Sequence, residues 1–165
     1  MRHRRALARV ERDLIGDLYP SLHRFAAVVA SADLDPDDLV QEALLRALRR
    51  GPLTDLAYPA AYLRKCMVNL AKDGRRGLGR RRRALEVLAA TSGAYVQHYP
   101  SDVAELLELP AKTRAILYLK ELEGRSFAEI ADLLGSSETS VRSAASRGRR
   151  RLRRLVSEEV RDATA

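Results

Sequence analysis

The stretch SFAEIADLLGSSETSVRSAASRGRRRLRRL, residues 126–155, decides the fold of the C-terminal part of the chain. It opens with Ser126 and, three residues later, Glu129, the pattern of a capping box at a helix start. Apolar residues then repeat at helical spacing before a Gly-Ser-Ser turn: Phe127, Ile130 and Leu134. A longer basic helix is predicted from Glu138 onward. A capped short helix, a turn containing glycine and a longer helix indicate a helix-turn-helix.

The longer helix has two chemically different faces. Small and aliphatic residues line one face at spacings of four and three: Val141, Ala145, Gly148, Leu152 and Leu155. Serine and arginine line the opposite face: Ser140, Ser143, Arg147, Arg150 and Arg154. This pattern favours DNA binding, and the alternative is a solvated basic helix on a structural domain.

In helix-turn-helix proteins the N-terminal residues of the second helix lie nearest the bases in the major groove, and later cations suit phosphates. The residues predicted at base edges are Glu138, Thr139, Ser140, Arg142, Ser143 and Arg147. Those predicted at phosphates are Arg150, Arg151 and Arg154. Residues 142–154 hold seven arginines and no acid. Seven phosphate contacts would make log K fall with log[salt] at a slope of about −6.

A second basic segment, residues 64–83, lies upstream and contains nine basic residues against one acid. The two basic segments together have a net charge of +15, so the rest of the chain is net −7 within a total of +8. One helical face here has an aromatic ring, an amide and three cations: Tyr62, Lys65, Asn69, Lys72 and Arg76. A ring can stack on an unpaired base while cations follow the backbone, so this stripe fits single-stranded nucleic acid. Leu63, Cys66, Met67 and Leu70 form a separate apolar stripe, which is expected to be core.

Other helices are predicted from periodicity and stop signals. In the N-terminal half they span roughly residues 5–31, interrupted near Pro20, then 35–50, and from Pro59 to the glycines after residue 73. Asp35 can cap the second of these ahead of Pro36. A further helix is expected from Pro110 to Gly124. The fold class is therefore all-α, with two small helical domains joined by a linker, the C-terminal one a helix-turn-helix. The predicted boundaries are 1–84, 85–103 and 104–165.

Composition excludes several classes of protein. The 46% apolar and 32% charged residues fit a soluble, core-forming chain with no membrane insertion, and no secretory signal is visible. One cysteine excludes a disulfide framework and a cysteine-rich zinc site. The three histidines are scattered without ligand spacing. These features predict a cytoplasmic protein that is not an enzyme and needs no metal or cofactor.

Three stretches resemble bacterial sigma factors of the extracytoplasmic-function (ECF) type. DPDDLVQEALLRALRR (35–50) and AAYLRKCMVNLAKDGRR (60–76) are similar to region 2 of that family, and residues 109–155 are similar to region 4. The resemblance implies a subunit that binds core RNA polymerase, directs it to promoters and helps to open the duplex. Ala144 and Ala145 fall where the family commonly has Arg and Leu. Ala144 therefore predicts one DNA contact fewer than the family pattern, and Ala145 predicts a thinner contact between this helix and the core.

The resemblance also assigns partners to surfaces. The residues implied in docking on the clamp coiled coil of the β′ subunit are Asp38, Gln41, Glu42, Leu45 and Arg49. The Tyr62 stripe and the loop before it would take the −10 element with a flipped base. The 138–154 helix would read the −35 element, and the apolar surface of 111–123 would face the β flap. An anti-sigma factor is a candidate partner whose existence the sequence does not reveal, and the free protein is expected to be a monomer.

Two alternatives remain open from the residues. A stand-alone helix-turn-helix regulator would dimerise and bind a duplex operator without polymerase. A basic RNA-binding protein would bind structured RNA and support no promoter-dependent transcription. The sigma interpretation is favoured because residues 35–76 would otherwise have no assigned role, and because no dimerisation heptad is visible.

Overall fold

The computed structural model describes residues 2–31, 34–74 and 104–162, and this part of the chain is helical without a β-strand. The N-terminal unit contains α1 (Arg2–Val29), α2 (Pro36–Leu48), a 3₁₀ turn (Leu53–Asp55) and α3 (Pro59–Gly74). The C-terminal unit contains α4 (Ala104–Leu107), α5 (Ala111–Leu117), α6 (Phe127–Leu134) and α7 (Glu138–Asp162). None of the described helices is both long and apolar enough to cross a bilayer. The predicted all-α class is confirmed, whereas the predicted linker lies outside the described residues.

The predicted interruption of the first helix near Pro20 is wrong, because α1 is continuous and Pro20 lies inside it. Proline removes one backbone donor and crowds the carbonyl four residues earlier, which here belongs to Gly16. Pro20 itself is exposed. Leu22 and Phe25, which follow it, are fully buried, and Leu18 packs partly against the same core. Packing on both sides of the proline therefore keeps the helix continuous.

The start of α2 follows the predicted capping chemistry. The Asp35 carboxylate accepts a hydrogen bond of 2.7 Å from the Asp37 backbone N–H, and Pro36 occupies the first helical position. The Tyr19 hydroxyl of α1 donates to the Asp37 carboxylate, and this hydrogen bond raises the pKa of Tyr19. The helix ends at Leu48, two residues before the predicted end. The cap fixes where α2 begins on the surface of α1.

The C-terminal unit has the predicted capping box. The Ser126 backbone N–H donates to the Glu129 carboxylate at 2.7 Å, and the Glu129 N–H donates back to the Ser126 hydroxyl at 3.2 Å. Gly135 ends α6 in the left-handed conformation (φ 60°), which favours glycine. The helix predicted before Gly124 is present, but its last turn, Tyr118–Leu122, is π-helical.

The two units pack directly against each other. α5 lies against both α1 and α3, and α6 contacts α3. Their apolar side chains form one continuous core that includes Phe25 and Met67 from the N-terminal unit and Ile116 and Ile130 from the C-terminal unit. As a result α3 is buried on more sides than its predicted apolar stripe accounts for, and Arg64, Val68 and Ala71 are buried too.

Candidate nucleic-acid interface

The first turns of α7 present their polar side chains to solvent. The following residues of the predicted −35 set are all exposed: Glu138, Thr139, Ser140, Arg142, Ser143, Arg147, Arg150, Arg151 and Arg154. On the opposite face Val141 and Ala145 are fully buried, and Gly148 is buried as well. The helix therefore has the two faces that its spacing predicts. Its exposed face lies immediately after the turn of the helix-turn-helix.

Arg142 is oriented by two neighbours. Its guanidinium donates to the Glu138 carboxylate one turn earlier, and it lies 4.8 Å from the centre of the Phe127 ring. Lys120 contacts the same ring at 4.9 Å. A cation over an aromatic face is attracted by the negative charge density of that face. Phe127, which the sequence indicated only as core, is thus half-buried and supports a cation of the exposed face.

The seven arginines of residues 142–154 differ in their ion pairs. Three of them pair with glutamates of the same unit: Arg142 with Glu138, Arg149 with Glu121 at 2.9 Å, and Arg151 with Glu108 at 2.7 Å. The other four have no acidic partner within the described residues: Arg147, Arg150, Arg153 and Arg154. The arginines without partners are concentrated toward the C-terminal part of the basic run.

The stripe on α3 is only partly exposed. Tyr62 is half-buried, and Lys65, Asn69 and Lys72 are exposed. Arg76 lies outside the described residues. The four described side chains follow one side of α3 at the predicted helical spacing, beginning one turn after the start of the helix.

A surface hollow lies at the Tyr62 end of this stripe. It has a volume of about 230 Å³ and is bounded by the end of α2, the following loop and the start of α3. The lining residues are Ala47, Arg50, Gly51, Pro52, Asp55, Leu56 and Tyr62. It is smaller than the pockets that take drug-sized ligands, and it combines an aromatic side chain with one cation and one anion. Periodicity could not reveal this hollow, because loop residues form most of its wall.

Arg64 belongs to the basic segment of residues 64–83, but it does not face solvent. Only 6% of the residue is exposed, and its guanidinium donates to the Glu123 carboxylate through two hydrogen bonds of 2.8 and 2.9 Å. Lys65 is also close to the C-terminal unit, because a Cβ atom built on Gly135 would lie 2.7 Å from its Nζ. One cation next to the stripe and one within it therefore lie against the other unit.

The residues predicted to dock on the polymerase share the exposed side of α2. Asp38, Gln41, Leu45 and Arg49 are exposed, whereas Glu42 is half-buried and pairs with Arg46 at 2.9 Å. Leu45 is 50% exposed, and Leu48, which the sequence analysis missed, is 39% exposed. Two exposed leucines one turn apart make this face more apolar than an ordinary solvated helix face.

The apolar surface of residues 111–123 is mostly covered in this structure. Ile116 and Leu119 are fully buried, while Leu122 is exposed. Within the described part of the chain no group of histidine, cysteine, aspartate and glutamate is arranged to bind a metal ion.

Comparison with known proteins places both units in one family. Residues 14–81 match Sigma-70 region 2, and residues 103–152 match Sigma-70, region 4. The ECF RNA polymerase sigma factor SigM of Mycobacterium tuberculosis is 32% identical over 139 residues, which cover 82% of this chain and 71% of SigM. The probable RNA polymerase sigma factor RfaY of Xanthomonas campestris pv. campestris is 35% identical over 133 residues, covering 71% of this chain and 33% of RfaY.

A solved structure shares the fold. The sigma factor RpoE of Bartonella quintana, crystallised in complex with the anti-sigma factor NepR, superimposes with a TM-score of 0.58 at 22% identity. The match covers 88% of this chain and 96% of RpoE. The order of the two matched regions is that of the sequence prediction. The chain belongs to the ECF family of RNA polymerase sigma factors.

Proposed function

We propose that this sigma factor divides promoter recognition between its two units, with α7 reading duplex −35 DNA and the Tyr62 stripe taking the melted −10 element. One observation carries the proposal: the described residues present two basic surfaces of different chemistry, one exposed on α7 and one partly exposed on α3. The surface on α7 combines serine, threonine and arginine at a helix start, which suits base edges and phosphates. The surface on α3 combines a ring, an amide and cations next to a hollow, which suits an unstacked base.

At the −35 element, the first two turns of α7 would enter the major groove. Arg142 is the strongest candidate for a base contact, because Glu138 and Phe127 already restrict its guanidinium. Arginine reads guanine through two parallel hydrogen bonds, and a restricted side chain loses less entropy when it does so. Arg147 would lie at the last base edge of this set, and Arg150 and Arg154 would contact phosphates. Arg151 pairs with Glu108 and would leave that carboxylate to contact a phosphate.

At the −10 element, a base flipped out of the stack would enter the hollow beside Tyr62. Arg50 and Asp55 provide a donor and an acceptor at its wall, so they are candidates for discriminating among bases. Lys65, Asn69, Lys72 and Arg76 would follow the strand away from the hollow. Tyrosine retains a stacking surface where the family often has tryptophan.

Core RNA polymerase would bind the exposed side of α2, through Asp38, Gln41, Glu42, Leu45 and Arg49, at the clamp coiled coil of β′. Leu48 joins this set because it extends the exposed apolar surface of Leu45. The β flap would take the apolar side of α5. We place the domain boundaries at 1–84, 85–103 and 104–165, in keeping with the two matched regions.

The remaining assignments follow from this role. The catalytic chemistry of initiation would belong to the polymerase, so the protein itself needs no catalytic residue, metal or cofactor. A bacterial sigma factor works where the chromosome is, which makes the cytoplasm its site of action. Because the similar RpoE was crystallised with an anti-sigma factor, we extend the proposal to a protein partner of that kind.

Transcription by reconstituted holoenzyme tests the proposal. The purified chain is mixed with core RNA polymerase and genomic DNA fragments, and transcript starts are mapped. We expect discrete starts that share two upstream motifs, and a free protein that is monomeric. Tight binding of a duplex by a dimer without core, and no discrete starts, would favour a stand-alone regulator instead. Affinity for structured RNA without promoter-dependent transcription would favour an RNA-binding protein.

A matched pair of leucine and valine variants tests the polymerase surface. Leu45→Ala removes exposed apolar area from the proposed docking face, and Val10→Ala removes similar exposed area from α1. Because binding would bury the exposed half of the Leu45 side chain and alanine lacks most of that apolar area, Leu45→Ala should weaken core binding about tenfold. Val10→Ala should leave core binding unchanged. Equal effects of the two variants would remove α2 from the interface.

A further inference from the structure

Glu11 stands on the core-facing side of α1. Ile15 and Leu18 follow it at spacings of four and three, and both pack partly against the core. The acid therefore takes a place where the apolar pattern of the helix would continue. It is half-buried, whereas its neighbours Val10 and Arg12 are exposed. A carboxylate on this side of a helix loses part of its hydration and needs a hydrogen-bond donor from the protein.

The donor is a backbone amide of the loop between α2 and α3. The Leu53 N–H donates to the Glu11 carboxylate at 2.7 Å, across 42 residues of sequence. Leu53 opens the 3₁₀ turn Leu53–Asp55, and the first N–H groups of a helical turn have no acceptor within it. Because Leu53 is fully buried, its N–H is out of reach of water. Glu11 therefore satisfies a donor whose burial without a partner would destabilise the loop.

The anchored turn forms one wall of the hollow beside Tyr62. Pro52, Asp55 and Leu56 line the hollow, and they lie directly before, at the end of and directly after the turn. The Asp55 N–H donates to the Pro52 carbonyl at 3.2 Å, and the Leu56 N–H donates to the carbonyl of the first residue of the turn at 3.1 Å. A single 3₁₀ turn has little stability of its own, so its position depends on what ties it to the rest of the unit.

The two ties of the turn act differently. Burial of the Leu53 side chain holds the turn against the core, but apolar burial has no preferred direction. The hydrogen bond to Glu11 has a charged acceptor and is directional, so it fixes the rotation of the turn. Asp55, two residues after the anchored amide, is exposed and supplies the anion of the hollow wall. Rotation of the turn would displace this carboxylate.

We propose that Glu11 is a positioning residue for base discrimination at the −10 element, because it holds the turn that presents Asp55 to a flipped base. This rests on the proposed function, since it concerns the same hollow. A carboxylate accepts a hydrogen bond from the exocyclic amino group of a base such as cytosine. Discrimination is a difference of affinities, and this bond contributes to it only while its atoms stay within reach. Glu11 itself contacts neither DNA nor polymerase.

Four variants separate the anchor from its charge and from the fold. Glu11→Ala removes the acceptor, and Glu11→Leu removes it while continuing the apolar pattern of α1, which keeps the test valid if the alanine variant folds poorly. Glu11→Gln keeps an acceptor oxygen without the charge. Asp13→Ala removes an exposed acid two residues along the same helix and is the matched control. Urea unfolding checks that each variant is folded.

Two measurements are made on these variants. In the first, each is assembled with core polymerase, and open-complex formation is measured on promoters that differ at one −10 base at a time. The ratio between the most and the least favoured base is the discrimination. In the second, hydrogen exchange of the Leu53 amide is followed by NMR in the free protein, which reports the anchor without DNA or polymerase.

Glu11→Ala and Glu11→Leu should lower the discrimination about tenfold and accelerate exchange of the Leu53 amide about tenfold or more, with core affinity and −35 duplex binding unchanged. Glu11→Gln should retain most of both properties, because a neutral acceptor still forms a hydrogen bond of about half the strength. Asp13→Ala should match the wild type. In the Asp55→Ala background, loss of Glu11 should not lower the discrimination further. Simple loss of folded protein would instead lower opening on every promoter equally.

The positioning role is overturned if both Glu11→Ala and Glu11→Leu keep the wild-type discrimination, or if they lower it as much with Asp55→Ala as without it. Slow exchange of the Leu53 amide in both variants would overturn the anchor itself. A wild type that opens promoters without any base preference in the −10 element would overturn the proposed function of the hollow. Amide exchange in the free protein would still decide whether Glu11 holds the turn.

Discussion

Gly148 on α7 lies so close to Thr113 on α5 that a Cβ atom at position 148 would be only 2.6 Å from the Thr113 methyl carbon. The same Cβ would be 3.1 Å from a methyl of Leu117. Ala145, one turn earlier on the same face, is fully buried. The small residues Ala145 and Gly148 therefore allow α7 to approach α5 closely, which sets the position of the reading face. That Ala145 gives a thinner core contact than leucine would give stays a prediction.

Gly148→Ala should destabilise the protein although alanine is the better helix former. The gain in helix propensity is about 1 kcal/mol, whereas overpacking a tight contact costs about 1–3 kcal/mol, so we expect a net loss of about 1 kcal/mol. Thr113→Ser removes the obstructing methyl and should rescue Gly148→Ala in the double variant. Urea unfolding of the wild type, the two single variants and the double variant gives the coupling free energy between positions 113 and 148. Additive effects would show that the methyl is not what limits the approach.

Acid should weaken the start of α6. Hydrogen bonds from the Ser126 backbone and side chain hold the pKa of Glu129 below its ordinary value of 4.5. A carboxylate with a lowered pKa in the folded state contributes stability above its unfolded pKa and loses it as the pH falls through the folded pKa. The stability difference between wild type and Glu129→Gln should therefore shrink as the pH is lowered from 6 to 3. Asp132→Asn, on the exposed side of the same helix, is the control, and thermal unfolding across the pH range is the measurement.

The sequence alone predicted the parts of the fold that depend on local chemistry. The Ser126 capping box, the Asp35 cap and the two faces of α7 all follow from side chains within a few turns of each other. Pro20 was misjudged because packing against the rest of the N-terminal unit overrides its local effect. Arg64 was missed as an interface residue, because a buried arginine is indistinguishable from a surface one until its distant partners are known. The hollow beside Tyr62 depends on loop conformation and had no periodic signal.

The ion pairs within the C-terminal unit should lower the salt dependence of DNA binding. Each phosphate neutralised contributes a slope of about −0.9, so the four arginines of residues 142–154 without acidic partners account for about −4 of the −6 expected from all seven. Glu108→Gln with Glu121→Gln frees Arg151 and Arg149. The double variant should bind duplex DNA more tightly, with a slope steeper by about 1–2. Because exposed pairs contribute little stability, its unfolding should be nearly unchanged. An unchanged slope would show that these arginines already leave their glutamates when DNA binds.

Replacing Tyr62 should separate melting from initial binding. If its ring stacks on a flipped −10 base, Tyr62→Ala should destabilise the open complex by about 1–3 kcal/mol. It should have little effect on the stability of the closed duplex complex. Tyr62→Phe keeps the ring and should retain open-complex formation, which makes it the matched control. Permanganate reactivity of unpaired thymines measures opening, and competition with unlabelled promoter measures initial binding. Equal defects of Tyr62→Ala in both assays would count against stacking. A tyrosine that only supports the wall of the hollow has no reason to affect strand opening more than initial duplex binding.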